Sequence, residues 1–339
     1  MCGVAGFFTG CLGYDNCPMS DKTACKLKIS TEHVFDNWHK RSSVRSIPRR
    51  LLDPDDVSLD LFPRNLVPIA QHPIITDHYY DKISELLNLQ LYRYLFFTTE
   101  LELSIVNPNI MELSRNANDL KLSEKEFLAL HKMYVDEGYH ALFCLDMAQQ
   151  VKKITNIFPL YDSKPSFIKE LKLLGQKVKN PKVANIIFTA VSETLITGSL
   201  TEVAKEEAVP VSISGLMKDH AKDESRHHAF FKSLIYKIFS NNSLDARSAL
   251  DFIPEAIYAF IKPDRMQLYN CLTQIGVTSS ESNEIISDVY TDEVIEKSAR
   301  SSAKDLLRFI DRSGMIDSNL LREKLEEKKL IGALKDERN

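Results

Sequence analysis

The chemistry of this chain is concentrated in His220-Ala-Lys-Asp-Glu-Ser-Arg-His227. His220, Glu224 and His227 stand at i, i+4 and i+7. On a helix turning about 100° per residue they fall on one stripe. A second fragment, Asp136-Glu137-Gly138-Tyr139-His140, sets Glu137 and His140 at i and i+3, again on one face. Two Glu-x-x-His pairs on separate helices supply half of a dinuclear carboxylate site in a four-helix bundle. The other half is one carboxylate from each of two further helices. Carboxylate oxygen mixed with imidazole suits iron or manganese, whereas thiolates favour zinc and all-oxygen sites magnesium or calcium. The chemistry expected of such a centre is oxygen-dependent oxidation.

One missing carboxylate is Glu193, set in the apolar run Phe188-Thr-Ala-Val-Ser-Glu193-Thr-Leu-Ile. Burying a carboxylate there without a partner costs several kcal/mol, and a bound cation removes that cost. For the other, Glu100 and Glu102 point about 200° apart on a helix, so only one can face a bundle axis. Both stripes are apolar, and periodicity does not choose between them. His220, one turn before Glu224, can reach the same metal pair, or can stand outside it as a supporting or surface histidine. His228 is about 100° around the helix from His227 and is expected to pack. His131 is expected to be structural. Asp136 and Asp223 directly precede Glu137 and Glu224. They can take the free ring N–H of a ligating histidine on a neighbouring helix, or be solvated acids.

Four long helices must position these side chains, at roughly 77–106, 122–152, 181–206 and 211–239. Ser123-Glu-Lys-Glu126 is a capping box that opens the second. Pro181 opens the third at its first turn. The first is expected to stop near Pro108. A short helix around 31–43 carries Trp38, the only tryptophan of the chain. Five prolines between 48 and 73 keep the next stretch irregular, and it is expected to wrap over the domain. A shorter helix lies between Pro165 and Gly175. Further helices are expected at 246–261, 264–275, 280–312 and 318–336. The fold class is all-α: a ferritin-like four-helix bundle core with additional surrounding helices, residues 31–339 forming one helical domain behind an irregular 1–30 leader.

Composition agrees. The 339 residues include only 11 glycines, and 44% are hydrophobic. A net charge of −4 gives no basic face for nucleic acid. No continuous run of about 18–20 apolar residues suggests a membrane span. Cysteines at 2, 11, 17, 25, 144 and 271 form no Cys-x-x-Cys pair, so neither a zinc knuckle nor a disulfide scaffold is expected. A reduced, cytoplasmic protein is the expected setting.

The motifs resemble those of the para-aminobenzoate N-oxygenase family of di-iron proteins. That family's ligand order is Glu, Glu-x-x-His, Glu, then His-x-x-x-Glu-x-x-His. Glu137-x-x-His140, Glu193 and His220-x-x-x-Glu224-x-x-His227 match it, the extra histidine included. Leu101-Glu102 ahead of Val106-Asn107-Pro108 is the better match for the first glutamate. The resemblance therefore implies seven ligands: Glu102, Glu137, His140, Glu193, His220, Glu224 and His227. It further implies two iron ions, with manganese possible at one position, and O2 as co-substrate. An external donor, a reductase or ferredoxin-like protein, would supply electrons. A peroxo-bridged diferric species would oxidise a primary amine, an arylamine or amino-acid-like amine, to hydroxylamine, nitroso or nitro product. A dioxygen-activating centre needs an apolar surround. Phe96, Phe97, Tyr139, Phe143 and Phe188 are near enough in sequence to supply it. A homodimer is left open.

Three other readings compete. One is a di-iron or manganese–iron enzyme acting on carbon, and another a non-catalytic ferritin-like metal-binding protein. The third rests on Met1-Cys2-Gly3, which resembles the start of amidotransferases with an N-terminal cysteine nucleophile. The residues after 12 lack the alternating strand pattern that activity would need.

Overall fold

Helix α6 (Glu124–Thr155) shows how the sequence sets this architecture. Ser123 Oγ accepts from the Glu126 N–H at 3.2 Å, and the Glu126 carboxylate accepts from the Ser123 N–H at 2.7 Å. This reciprocal cap satisfies two donors that the first helical turn leaves open. The helix ends where Asn156 turns left-handed at φ 55°. Ala129, Leu130, Met133, Asp136, Glu137, His140, Ala141, Cys144, Met147, Ala148 and Val151 form one buried face. The spacing is that of an amphipathic helix, but acids and a histidine sit in the middle of the buried stripe.

This computed structural model describes residues 33–116, 121–160, 164–178, 181–206, 208–240, 249–317 and 319–334. The leader and Cys2 lie outside them. Three further long elements complete the core: α4 (Ile83–Leu101) with its continuation α5 (Asn107–Arg115), α8 (Pro181–Ala204) and α9 (Val211–Ser240). Helix α4 packs on α6, α8 packs on α9, and α6 meets α9 across the centre. Among the described residues no strand occurs, and the fold is an all-α, ferritin-like bundle. By length and composition α8 could cross a bilayer, but 76% of its most apolar stretch is buried within the bundle.

The first core helix does not stop at Pro108. It runs from Ile83 to Arg115 through one π-helical stretch, Glu102–Val106, placed directly before Asn107-Pro108. In a regular helix the Pro108 ring would meet the carbonyl four residues back and leave it without a donor. Widening the preceding turn accommodates it, and such π-turns often mark functional sites. Here the wide turn carries Glu102, which is fully buried together with Ile105 and Val106.

The expected helix over 31–43 is two short turns, α1 (Trp38–Arg41) and α2 (Ser43–Ser46), broken at an extended Ser42. The proline-rich strap after them is pinned to α6. The Leu52 N–H donates to Gln150, the Gln150 amide donates to the Arg50 carbonyl, and Arg49 pairs with Asp146. Toward the C-terminus, α7 (Ser166–Gly175) and α11 (Arg265–Gln274) occupy the expected places, while of the helix expected over 246–261 residues 246–248 lie outside the described residues and α10 spans Ile253–Ile261. The stretch expected as one helix over 280–312 is three: Ser279–Val289, Asp292–Ser302 and Lys304–Arg312. Thr291 causes the first break, because its hydroxyl caps the Val294 N–H from an extended backbone. The last expected helix, 318–336, is observed as Asn319–Glu327 followed by a 3-10 turn over Ile331–Leu334.

Gly138 sits mid-helix beside Glu137, exposed, with nothing within 4 Å of where a Cβ would stand. Glycine in a helix interior costs roughly 0.5–1 kcal/mol relative to alanine. Gly138→Ala should therefore raise stability by about that amount in denaturant unfolding and leave metal binding unchanged.

Candidate metal centre

Each of the four core helices delivers carboxylates or imidazoles to one buried place. From the π-turn comes Glu102, from α6 Glu137 and His140, from α8 Glu193, and from α9 His220, Glu224 and His227. All seven are fully buried. They fall into two overlapping groups: Glu102, Glu137, His140, His220 and Glu224 in one, and Glu137, Glu193, Glu224 and His227 in the other. Within each group one donor atom per residue lies within 4.8 Å of all the others. Glu137 and Glu224, the acids of the two Glu-x-x-His motifs, belong to both. Each group could hold one metal ion, and the two groups share these two carboxylates.

The distances are also those between ligands of one shared ion. His140 Nδ1 lies 2.8 Å from Glu137 and 3.1 Å from Glu224. His220 Nε2 lies 3.1 Å from Glu224 and 3.6 Å from Glu102. His227 Nδ1 lies 2.6 Å from Glu137 Oε1, yet the two are out of line for a hydrogen bond. Donors about 2.1 Å from an octahedral ion stand roughly 3 Å apart. Both oxygens of Glu102, both of Glu193 and Oε2 of Glu224 have no hydrogen-bond partner. Buried carboxylate oxygens without partners are costly, and cations are the partners this donor set fits. Four carboxylates with three neutral imidazoles also balance two divalent ions.

The other ring nitrogens settle which tautomer faces the centre. His140 Nε2 lies 3.2 Å from Asp223, and His227 Nε2 lies 3.2 Å from Asp136. With a cation at the centre each Nε2–H would donate to its aspartate and leave the Nδ1 lone pair to face the ion. The pairing is crossed: Asp136 of α6 holds the histidine of α9, and Asp223 of α9 holds that of α6. His220 is held differently, for its Nδ1 has no partner.

Without a cation the centre is electrostatically frustrated. Burial, and then repulsion from Glu137 and Glu224, pushes the Glu102 and Glu193 carboxyls well above the usual range. Burial opposes charge on Glu224 too, but the imidazoles around it, His227 foremost, hold it well below. Burial works against protonating His140 and His227, yet their carboxylate neighbours outweigh it and raise both. Burial and the neighbouring His140 lower His220. Cys144, one turn beyond His140, is fully buried, and burial keeps its thiol protonated and out of the ligand set.

The remaining expectations separate cleanly. Glu100 stands outside the cluster, accepting from Ser104 at 3.0 Å. His228 packs half-buried with its Nε2 unpartnered, and burial pulls its pKa down to about 3. His131 bridges α6 to α5 through Ser114. Of the five aromatics, Phe143 touches the centre, its ring 5.3 Å from His140 and 5.4 Å from His220. Tyr139 leans on Phe143. Phe188 is ordinary core, Phe96 is exposed, and Phe97 packs with Phe167 and Phe260 around a separate cleft. Periodicity did not reveal Trp38, Ser42, Ser43 and Arg226, which grip the two aspartates. Their only signal was that Trp38 is the sole tryptophan.

A helical bundle with two Glu-x-x-His helices and a carboxylate from each of two others has the plan of the ferritin-like carboxylate proteins. The p-aminobenzoate N-oxygenase AurF family model matches residues 30–314, and the chain belongs to that family of oxygenases. It is 22% identical over 267 residues to the 4-aminobenzoate N-oxygenase of Streptomyces thioluteus, a match covering 74% of this chain and 76% of that protein.

Two predictions follow from the charge balance. The raised pKa values of Glu102, Glu193, His140 and His227 favour the fold below the unfolded values, and that stability is lost as pH climbs through the folded ones. His220 and His228, both lowered, oppose this. Metal-free protein should therefore melt at lower temperature as pH rises from about 5 to 8. Mn(II) binding should release protons and strengthen over the same span, as calorimetry in buffers of different ionisation heat would show. Second, Glu102→Gln should raise the melting temperature of the metal-free protein at pH 8 while lowering metal content below two per chain. Glu100→Gln should change neither.

Proposed function

We propose that this chain is an O2-dependent arylamine N-oxygenase that works through a carboxylate-bridged pair of iron ions. Glu102, His140 and His220 would hold one ion, Glu193 and His227 the other, with Glu137 and Glu224 between them. Manganese is chemically admissible at one position. The observation that carries the reading is the pair of donor groups overlapping in Glu137 and Glu224. The named activity of the Streptomyces relative supports nitrogen as the atom oxidised.

The chemistry such a pair supplies when bound is reductive activation of O2. The first stage balances as amine, O2, two electrons and two protons giving hydroxylamine and water. The electrons come from an external reductase or ferredoxin-like protein. Further rounds would give nitroso and nitro products. This chain's own residues provide the ligands, the crossed aspartates that orient His140 and His227, and a dry surround. The burial of all seven donors keeps bulk water from the oxidant.

The substrate would approach from the side of α4 and α8, the helices whose glutamates leave oxygens unpartnered. A separate cleft of about 380 Å³, walled by Phe62, Tyr94, Phe97, Phe167 and Phe260, runs along those two helices without any of the seven donors in its lining, and it would serve as the way in. Flat aromatic walls suit an arylamine ring. Arg93 lines the same cleft, and the hydrogen bonds of its guanidinium go to the neutral amides of Gln90 and Gln267. It would meet a substrate carboxylate.

The test is a single turnover. Fe(II)-loaded protein is mixed with 18O2 and 4-aminobenzoate, and the products are separated. Label on nitrogen is expected. Ring hydroxylation would shift the reading to a carbon hydroxylase, and iron oxidation with untouched amine to a storage protein. Arg93→Leu should raise KM for 4-aminobenzoate roughly tenfold or more, the size of a lost charge-assisted hydrogen bond, and leave KM for an uncharged aniline unchanged.

A further inference from the structure

The two aspartates that orient His140 and His227 are themselves held by one short piece of chain. Trp38 Nε1 donates to Asp136, 2.9 Å from Oδ1 and 2.8 Å from Oδ2, and Ser42 Oγ donates to Oδ1 at 2.5 Å. The next residue turns the other way. The Ser43 N–H lies 3.1 Å from Asp223 Oδ2, and its hydroxyl donates to the same oxygen. The extended backbone at Ser42 is what sends neighbouring hydroxyls to different helices. Trp38, Ser42 and Ser43 are all buried. Arg226 closes the circuit, bonding Asp223 and standing 3.9 Å from Asp136. Ahead of the turn, Phe35 stacks on His227, ring centres 6.0 Å apart and 9° from parallel.

We infer that the Trp38–Ser43 segment is one clasp that sets both metal positions together. It acts through Asp136 on the His227 position and through Asp223 on the His140 position. The inference rests on the dinuclear reading of the centre. A buried carboxylate with several fixed donors cannot rotate, so the imidazole bonded to it is fixed in turn. Because a single six-residue segment supplies the donors for both aspartates, loosening one end of it loosens the other. Docking of the clasp and loading of the metals are then one equilibrium.

The chain's only tryptophan lies in the clasp, so its fluorescence reports on clasp docking. Wild type, Trp38→Phe, Ser43→Ala and Ser43→Thr would be titrated anaerobically with Co(II). Ligand-field absorption would follow each position, metal analysis the stoichiometry, and tryptophan emission the clasp in the three proteins that keep it. In wild type we expect two ions per chain and an emission change that saturates with them. Trp38→Phe and Ser43→Ala should each weaken both positions about tenfold or more, the usual effect of losing a partner of a ligating histidine. Ser43→Thr, which keeps the hydroxyl, should restore affinity. Circular dichroism of the metal-free variants separates a loose clasp from a failed fold, and if Trp38→Phe does not fold, the two Ser43 variants decide. If each variant weakens only the position beside it, or neither, the shared clasp is wrong though the dinuclear centre stands. If wild type binds no pair of ions, the dinuclear reading fails, and the clasp with it.

Discussion

Four carboxylates share the middle of this bundle, away from water. That constraint organises the rest. In an apolar interior four such groups repel one another and each loses its hydration, at a cost that packing of ordinary side chains does not offset. Protonation relieves part of it, which is why Glu102 and Glu193 are pushed toward the neutral form. Two divalent cations would balance the four charges, and under the proposed reading the stability of the protein and the occupancy of its centre are linked quantities.

Geometry at the centre comes from layers, each fixing the one inside it. The helices supply the stripes. The widened turn before Pro108 presents Glu102 inward, although proline ordinarily ends or kinks a helix. The crossed aspartates set the tautomers of His140 and His227. Outside them the Trp38–Ser43 turn and Arg226 hold the aspartates. Each layer is buried and hydrogen-bonded, so the arrangement is rigid on the histidine side. On the side of α4 and α8 the oxygens of Glu102 and Glu193 have no hydrogen-bond partner.

His220 stands apart. It lies beside His140, ring centres 4.0 Å apart, and both contact Phe143. Its second nitrogen is unpartnered, so no carboxylate strengthens or orients it as Asp136 and Asp223 do for the others. In the proposed centre it would be a further neutral donor beside Glu102, His140 and the shared carboxylates.

The sequence alone determined the fold class and most of the candidate donors. Helical spacing is a local property, so Glu137 with His140, and His220 with Glu224 and His227, could be placed on common faces without knowing any contact. Glu193 was legible because a lone acid in an apolar run requires a partner. What only the tertiary structure decided depends on groups far apart in the chain. Periodicity left Glu100 and Glu102 open and the family resemblance favoured Glu102; the packed bundle buries Glu102 and leaves Glu100 bonded to Ser104. The pairing of Asp136 with His227 and of Asp223 with His140 exists only once α6 and α9 meet. The grip of Trp38, Ser42 and Ser43 spans separations of 94 to 180 residues, and no periodicity within one element can encode a contact between two.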